Sequence, residues 1–176
     1  METVVIQKSR WNERWLYLVG ALAGCAFITL CARIKVPFYP VPFTLHTLAI
    51  FILAFTQTPK QVFGSVVCYL LCATAGFPVL HGASNPLWIM GPTGGYLVAF
   101  PIAAYVTSKL SQRISPFLAF FVGEAIILGL GMVWLLFMIG PKLAWVQGAL
   151  LFIPSDLLKG MVAIGIAKGW KRIAPC

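Results

Sequence analysis

Apolar residues fill the chain in six long blocks, each closed off by proline, glycine or charge. The blocks predict helices at about 15–34, 43–57, 60–77, 94–112, 115–139 and 144–169. The second block is short. The TQTPK that follows it leaves room for only a tight turn, with Pro59 suited to the first turn of the next helix. Residues 1–14 precede the first block as a short, partly basic leader. They hold no apolar core followed by a small-residue cleavage site, so the first block is expected to serve as its own insertion signal.

Between the blocks, polar and conformationally special residues gather in three segments. ARIKVPFYPVPFTLHT separates the first two helices, FPVLHGASNPLWIMGPTGGY the third and fourth, and FIPSDLLKG lies toward one end of the sixth. The run NPLWIMGPTGGY, residues 85–96, is uncharged and rich in proline and glycine. Proline fixes φ and removes a donor, while glycine lets a ligand approach the main chain, so the run reads as ordered irregular backbone. A membrane protein keeps such backbone where it lines a cavity.

Composition turns the blocks into spans. Hydrophobic residues make up 60% of the 176 and charged residues 10%, against about 25% charged in soluble domains, and the mean hydropathy is +0.92. The expected architecture is an all-α membrane protein, one domain over 1–176, crossing the lipid bilayer six times. Lys8, Arg10, Arg14, Lys60, Lys109, Arg113, Lys168, Lys171 and Arg172 fall on one side of it, against Arg33, Lys35 and Lys142 on the other. By the positive-inside rule both termini are cytoplasmic, in the cell (inner) membrane, and the three special segments face outward over a cavity open to that side. The net charge of +9 is then a matter of topology and lipid contact, not nucleic-acid binding. Cys25, Cys31, Cys68, Cys72 and Cys176 form no CxxC pair and read as small hydrophobes, with no metal expected.

Two acidic residues lie outside the leader, Glu124 and Asp156. An ionisable group inside a span costs about 2.5 kcal/mol or more on insertion scales, so each is expected to face a cavity or a partner. Asp156 and Lys159 are spaced i, i+3 on one helix face. They read either as a self-neutralising ion pair or as a binding pair, the carboxylate accepting from ligand N–H groups and the ammonium donating to a ligand carbonyl or acid. Pro154 should start or kink the helix that carries them. Glu124 sits well inside the fifth helix, away from the outer segments, where a helix-to-helix hydrogen bond is expected and proton coupling is the alternative.

His46 and His81 lie near the outer face in no metal-ligand spacing, and the sequence contains no GxSxG, HExxH or GxxxxGK[ST]. Gly20 and Gly24, with Ala21 and Ala23, give the first helix a small-residue face, suited to internal packing or to docking another subunit. Trp11, Trp15, Trp145 and Trp170 fall near helix ends as interfacial anchors do, whereas Trp88 and Tyr96 are placed to touch a flat ligand.

Taken together, PFYPVPFTLHTL, GFPVL, GPTGGYLVAF and FIPSDLLKG occur in an order and spacing that resembles the BioY family, the biotin-specific S components of energy-coupling factor (ECF) transporters. The resemblance spans about residues 15–170. It implies six helices, biotin taken from the outer side beneath the loops after helices 1 and 3, and no catalysis or cofactor. It also implies partners: a transmembrane coupling subunit and ATP-binding cassette ATPases. Carried over residue by residue, it assigns ligand binding to Asp156 and Lys159 in P-x-D-x-x-K and to Tyr96 in GPTGGY, with Asn85 beside it. Partner docking is assigned to Gly20, Ala21, Ala23 and Gly24. His46 stands where many members carry Gln, and Glu124 matches no pattern of the family. The alternatives are a self-sufficient facilitator of a small anion and an intramembrane enzyme using Asp156 or Glu124.

Overall fold

A computed structural model describes residues 2–36, 43–80, 85–150 and 152–173. Helix α1 runs Glu2–Arg33, so the leader continues into the first span as one helix. Strands β1 (Lys35–Val36) and β2 (Phe43–Thr44) pair antiparallel, with Lys35 opposite Thr44. There follow α2 (His46–Thr56), α3 (Pro59–Thr74), a 3-10 turn (Trp88–Met90), α4 (Gly94–Leu110), α5 (Pro116–Ile139), α6 (Pro141–Trp145), a π turn (Val146–Leu150) and α7 (Phe152–Ile173). Apart from the two-residue strands, the architecture is all-α, as the block pattern predicts.

Helix starts and stops follow local chemistry. Pro59 and Pro116 occupy first-turn positions, where a missing N–H costs nothing, and the Ser115 hydroxyl accepts from the Leu118 amide at 3.3 Å to cap α5. The expected single helix from 144 to 169 is not what forms. Gly140 ends α5 at φ 81°, a left-handed conformation that glycine adopts without strain, and Pro141 immediately opens a new helix. That helix is short and relaxes through the π turn. Pro154 then falls in the first turn of α7, as its lack of a donor requires.

Small residues set the helix spacing. A methyl group at Gly20 would collide with the Gln61 amide, and one at Gly24 with the Ser65 hydroxyl, while Gly64 of α3 receives the Tyr17 hydroxyl. The face expected to dock another subunit is therefore filled from within, by α3. Ala21 and Gly24 are buried and Gly20 is half-buried, so of the four residues only Ala23 is exposed. Close approach exposes backbone carbonyls, and glutamines satisfy them. Gln57 donates to the Gly20 carbonyl at 2.9 Å and Gln61 to that of Leu16 at 3.3 Å. The Gln57 side chain also accepts from Ser65 at 3.0 Å, and its backbone carbonyl accepts from Ser108 at 2.9 Å, tying the α2–α3 turn to α4. Between α4 and α5, the Tyr96 ring fits onto Gly131 and Trp134 onto Gly95.

The distribution of polarity is that of a protein immersed in lipid. Outward faces carry Trp15, Leu22, Leu30, Phe137 and Met161, whereas His46, Ser65, Thr107, Ser108, Glu124 and Asp156 are buried. Among the described residues, two helical segments are long and apolar enough to cross a membrane by length and composition alone: Arg14–Arg33, 20 residues of mean hydropathy 2.0, and Pro116–Ile139, 24 residues of mean hydropathy 2.2.

The internal role of the small-residue face is checked by thermal unfolding of the detergent-purified protein. Gly24→Leu should destabilise by about 1–3 kcal/mol through overpacking against Ser65. Ala23→Leu, on the exposed side, should stay within about 0.5 kcal/mol of the parent.

Candidate functional site

The N-terminal ends of α2, α4 and α7 converge at one end of the bundle, and the middle of α5 closes the space between them. The result is a cavity that, with the open solvent at its mouth, encloses about 490 Å³ of empty space. Thr44, His46 and Thr47 line it from β2 and α2, Thr93, Tyr96, Leu97 and Phe100 from the start of α4, Ile127 and Leu128 from α5, and Phe152, Asp156 and Lys159 from α7.

Asp156 and Lys159 are brought together in the wall of this cavity. The Lys159 ammonium donates to Asp156 Oδ1 at 2.7 Å, the i, i+3 pair that the spacing predicts, and the Thr47 hydroxyl donates to the same oxygen at 3.1 Å. Asp156 is only 2% exposed. The Thr47 bond also ties α2 to α7, so the charge pair and the helix packing are one arrangement. Because the pair lines the cavity, its ion-pair geometry and its availability to a ligand are not alternatives.

His46 is held at both ring nitrogens, with Thr44 Oγ1 2.7 Å from Nδ1 and Tyr69 Oη 2.6 Å from Nε2. The assignment that satisfies every atom has Thr44 donating to Nδ1, Nε2–H donating to Tyr69, and Tyr69 donating to the Val79 carbonyl at 3.4 Å. A histidine thus both donates and accepts, as the amide of a Gln would.

Tyr96 is also in the cavity, but as a wall. Its hydroxyl donates to the Gly148 carbonyl at 2.6 Å, pinning the π turn to α4, and its ring lies 6.1 Å from that of Phe152. Asn85 is exposed and outside the lining of this cavity, and its carbonyl accepts from the Trp88 amide at 3.2 Å. The 3-10 turn beginning at Trp88 places it at the surface. Trp88 itself is buried with its indole N–H on Thr74 Oγ1 at 3.1 Å, so it anchors the loop to α3 and does not line the cavity. His81 lies outside the described residues.

Glu124 is buried, and neither of its carboxyl oxygens accepts from a donor among the described residues. The groups that face it are Asp156 and Lys159. Away from the cavity lining, Cys25 joins Cys68 and Cys72 in a cluster whose sulfurs all lie within 4.8 Å of one another. Sequence spacing alone pairs only the last two. The site residues missed by sequence reasoning are the threonines and the apolar walls. Thr44 and Thr47 of TLHT and Thr93 of GPTGGY carry a signal, being polar residues inside the irregular segments. Phe100, Ile127, Leu128 and Phe152 carry none, because nothing separates an apolar residue that lines a cavity from one that packs.

Comparison with known proteins identifies the family. The model of the BioY family matches residues 7–175. The chain is 34% identical over 144 residues to a probable biotin transporter BioY of Pyrococcus horikoshii, covering 81% of this chain and 88% of that protein. It is 32% identical over 162 residues to the biotin transporter BioY of Thermotoga maritima, covering 89% and 96%. In three dimensions it is similar to the crystal structure of the S-component for biotin from an ECF-type ABC transporter, with a TM-score of 0.78, 25% identity and coverage of 92% and 93%. These relatives are named for transport and not for catalysis. The chain belongs to the BioY family.

Proposed function

We propose that this protein is an S component that captures biotin at the outer face of the cytoplasmic membrane and delivers it inward with ECF partners. The observation that carries the proposal is a buried carboxylate–ammonium pair set in a cavity whose other walls are aromatic, aliphatic and hydroxyl. Biotin's ureido ring offers two N–H donors for Asp156 and a carbonyl for Lys159, and its apolar body suits Tyr96, Phe100 and Phe152. Its carboxylate suits Thr93 and the first amides of α4, since the Thr93 hydroxyl at the N-cap makes no bond to the helix.

In this reading six segments cross the membrane, with α1, α2, α3, α4, α5 and α7 as the spans and both termini inside. The positive-inside distribution supports that orientation. It puts the N-termini of α2, α4 and α7, and with them the cavity, on the outer side. With no phosphate-binding GxxxxGK[ST] in the sequence, nucleotide hydrolysis falls to ATP-binding cassette partners acting through a membrane-embedded coupling subunit. Their contact lies on a face other than the one that Gly20 and Gly24 give to α3.

Calorimetry on the purified chain is the direct test, and absence of biotin binding would defeat the proposal. Given binding, Asp156→Asn should weaken it about 30- to 150-fold. Exchanging an acceptor for a donor removes charge-assisted hydrogen bonds worth ~2–3 kcal/mol, and near-normal affinity would reduce Asp156 to a structural ion-pair partner.

Analogue binding addresses specificity separately. Dethiobiotin keeps the ureido group and should bind within about tenfold of biotin, whereas a ring without N–H donors should lose about 10⁴-fold, because it leaves Asp156 unpaired. Equal binding of the two analogues would move recognition to the valerate chain.

A further inference from the structure

Glu124 is a carboxyl that the contacts proposed for biotin leave unused. It lies on α5 one helical turn before Ile127 and Leu128, both of which line the cavity, so it sits just beneath the site. It is 7% exposed, and both of its oxygens are without a hydrogen-bond partner. The charged groups facing it are Asp156 and Lys159, both from α7. From α4, Thr107 packs on the neighbouring Gly123, with its own hydroxyl unpartnered. Two carboxyls therefore share the neighbourhood of one ammonium. In this arrangement Asp156 holds it, at 2.7 Å, with Thr47 donating to the same oxygen.

An unpaired carboxyl inside an apolar bundle is expensive, and polar groups so deeply buried are nearly always satisfied. A state in which Glu124 has a donor resolves the cost, and the ligand-bound state supplies one. When ligand N–H groups take Asp156, they replace the donors that the ammonium had provided. The ammonium then needs a second anion, and among the described residues Glu124 is the carboxyl that faces it; a neutral acid while it has no cation, it gives up its proton through the cavity as the ammonium arrives. Lysine's flexible four-carbon stem and three N–H donors allow the shift without backbone movement, and leave an N–H for a ligand carbonyl.

We propose that Glu124 is a positioning residue of the site, the alternate counter-ion that receives Lys159 when a ligand occupies Asp156. The inference rests on the biotin reading above. It makes the site a three-membered exchange: Lys159 on Asp156 when empty, Lys159 on Glu124 when filled.

The test is calorimetric biotin affinity together with ligand-free melting temperature, for the full-length wild type, Glu124→Gln and Glu124→Asp. Glu124→Gln should bind at least about tenfold more weakly, since an amide is a poor home for an ammonium, while melting at or above the wild-type temperature because a buried carboxyl without a donor has been removed. Glu124→Asp should recover affinity to within about threefold. Wild-type affinity in Glu124→Gln overturns the proposal. So does a loss that Glu124→Asp does not recover, and so does a loss matched by a fall in melting temperature, which marks a packing role. Failure of the wild type itself to bind biotin would strike the ligand reading instead.

Discussion

A carboxylate and an ammonium cannot be carried separately into an apolar helix bundle, because each loses hydration worth more than any packing contact returns. Asp156 and Lys159 meet that constraint by entering together on one turn of α7, 2.7 Å apart. The pair still needs polar company for its remaining lone pairs and protons, and the surrounding fold is arranged to give it. Thr47 reaches across from α2, so the position of α2 against α7 is fixed by the same oxygen that holds the ammonium. Pro154 lies two residues before the pair in the first turn of α7, setting it at the end of the bundle where the cavity opens. Moving the pair one turn along α7 would take it out of reach of Thr47.

The same demand for partners explains the residues around it. His46 would be a third uncompensated polar group in this region, and it is held by Thr44 and Tyr69. The Gly148 carbonyl belongs to a π turn, whose altered hydrogen-bond pattern frees a carbonyl, and the Tyr96 hydroxyl takes it. Only glycine fits there: a methyl group at position 148 would lie 2.7 Å from that hydroxyl and 2.8 Å from Leu135. Glu124 breaks the pattern, and it does so beside the site and not in the packed core between α1 and α3.

How much of this is legible in the sequence depends on whether the signal is one of pattern or of direction. The apolar blocks place α3, α4 and α5 to within a few residues, since length and hydropathy are local properties. The split of the last block escapes them because the π turn Val146–Leu150 lies within a largely apolar run, and hydropathy averages over such a break. The i, i+3 spacing of Asp156 and Lys159 is enough to specify their contact, because both lie on one helix. The path of the loop that carries Asn85 is tied by a tertiary bond, Trp88 to Thr74, that no spacing reveals.

The small-residue face of α1 shows the limit most clearly. Gly20 and Gly24 announce that some helix comes close, and the chemistry of the approach is identical whether that helix belongs to the same chain or to another. What distinguishes the cases lies on the opposite element. Gln57 and Gln61, at the start of α3 and in the turn before it, meet the carbonyls of Gly20 and Leu16 on α1, and Ser65 donates to the Gln57 side chain. The two halves of the motif, glycines on one helix and glutamines on the next, therefore identify an internal contact when read together, although neither does so alone.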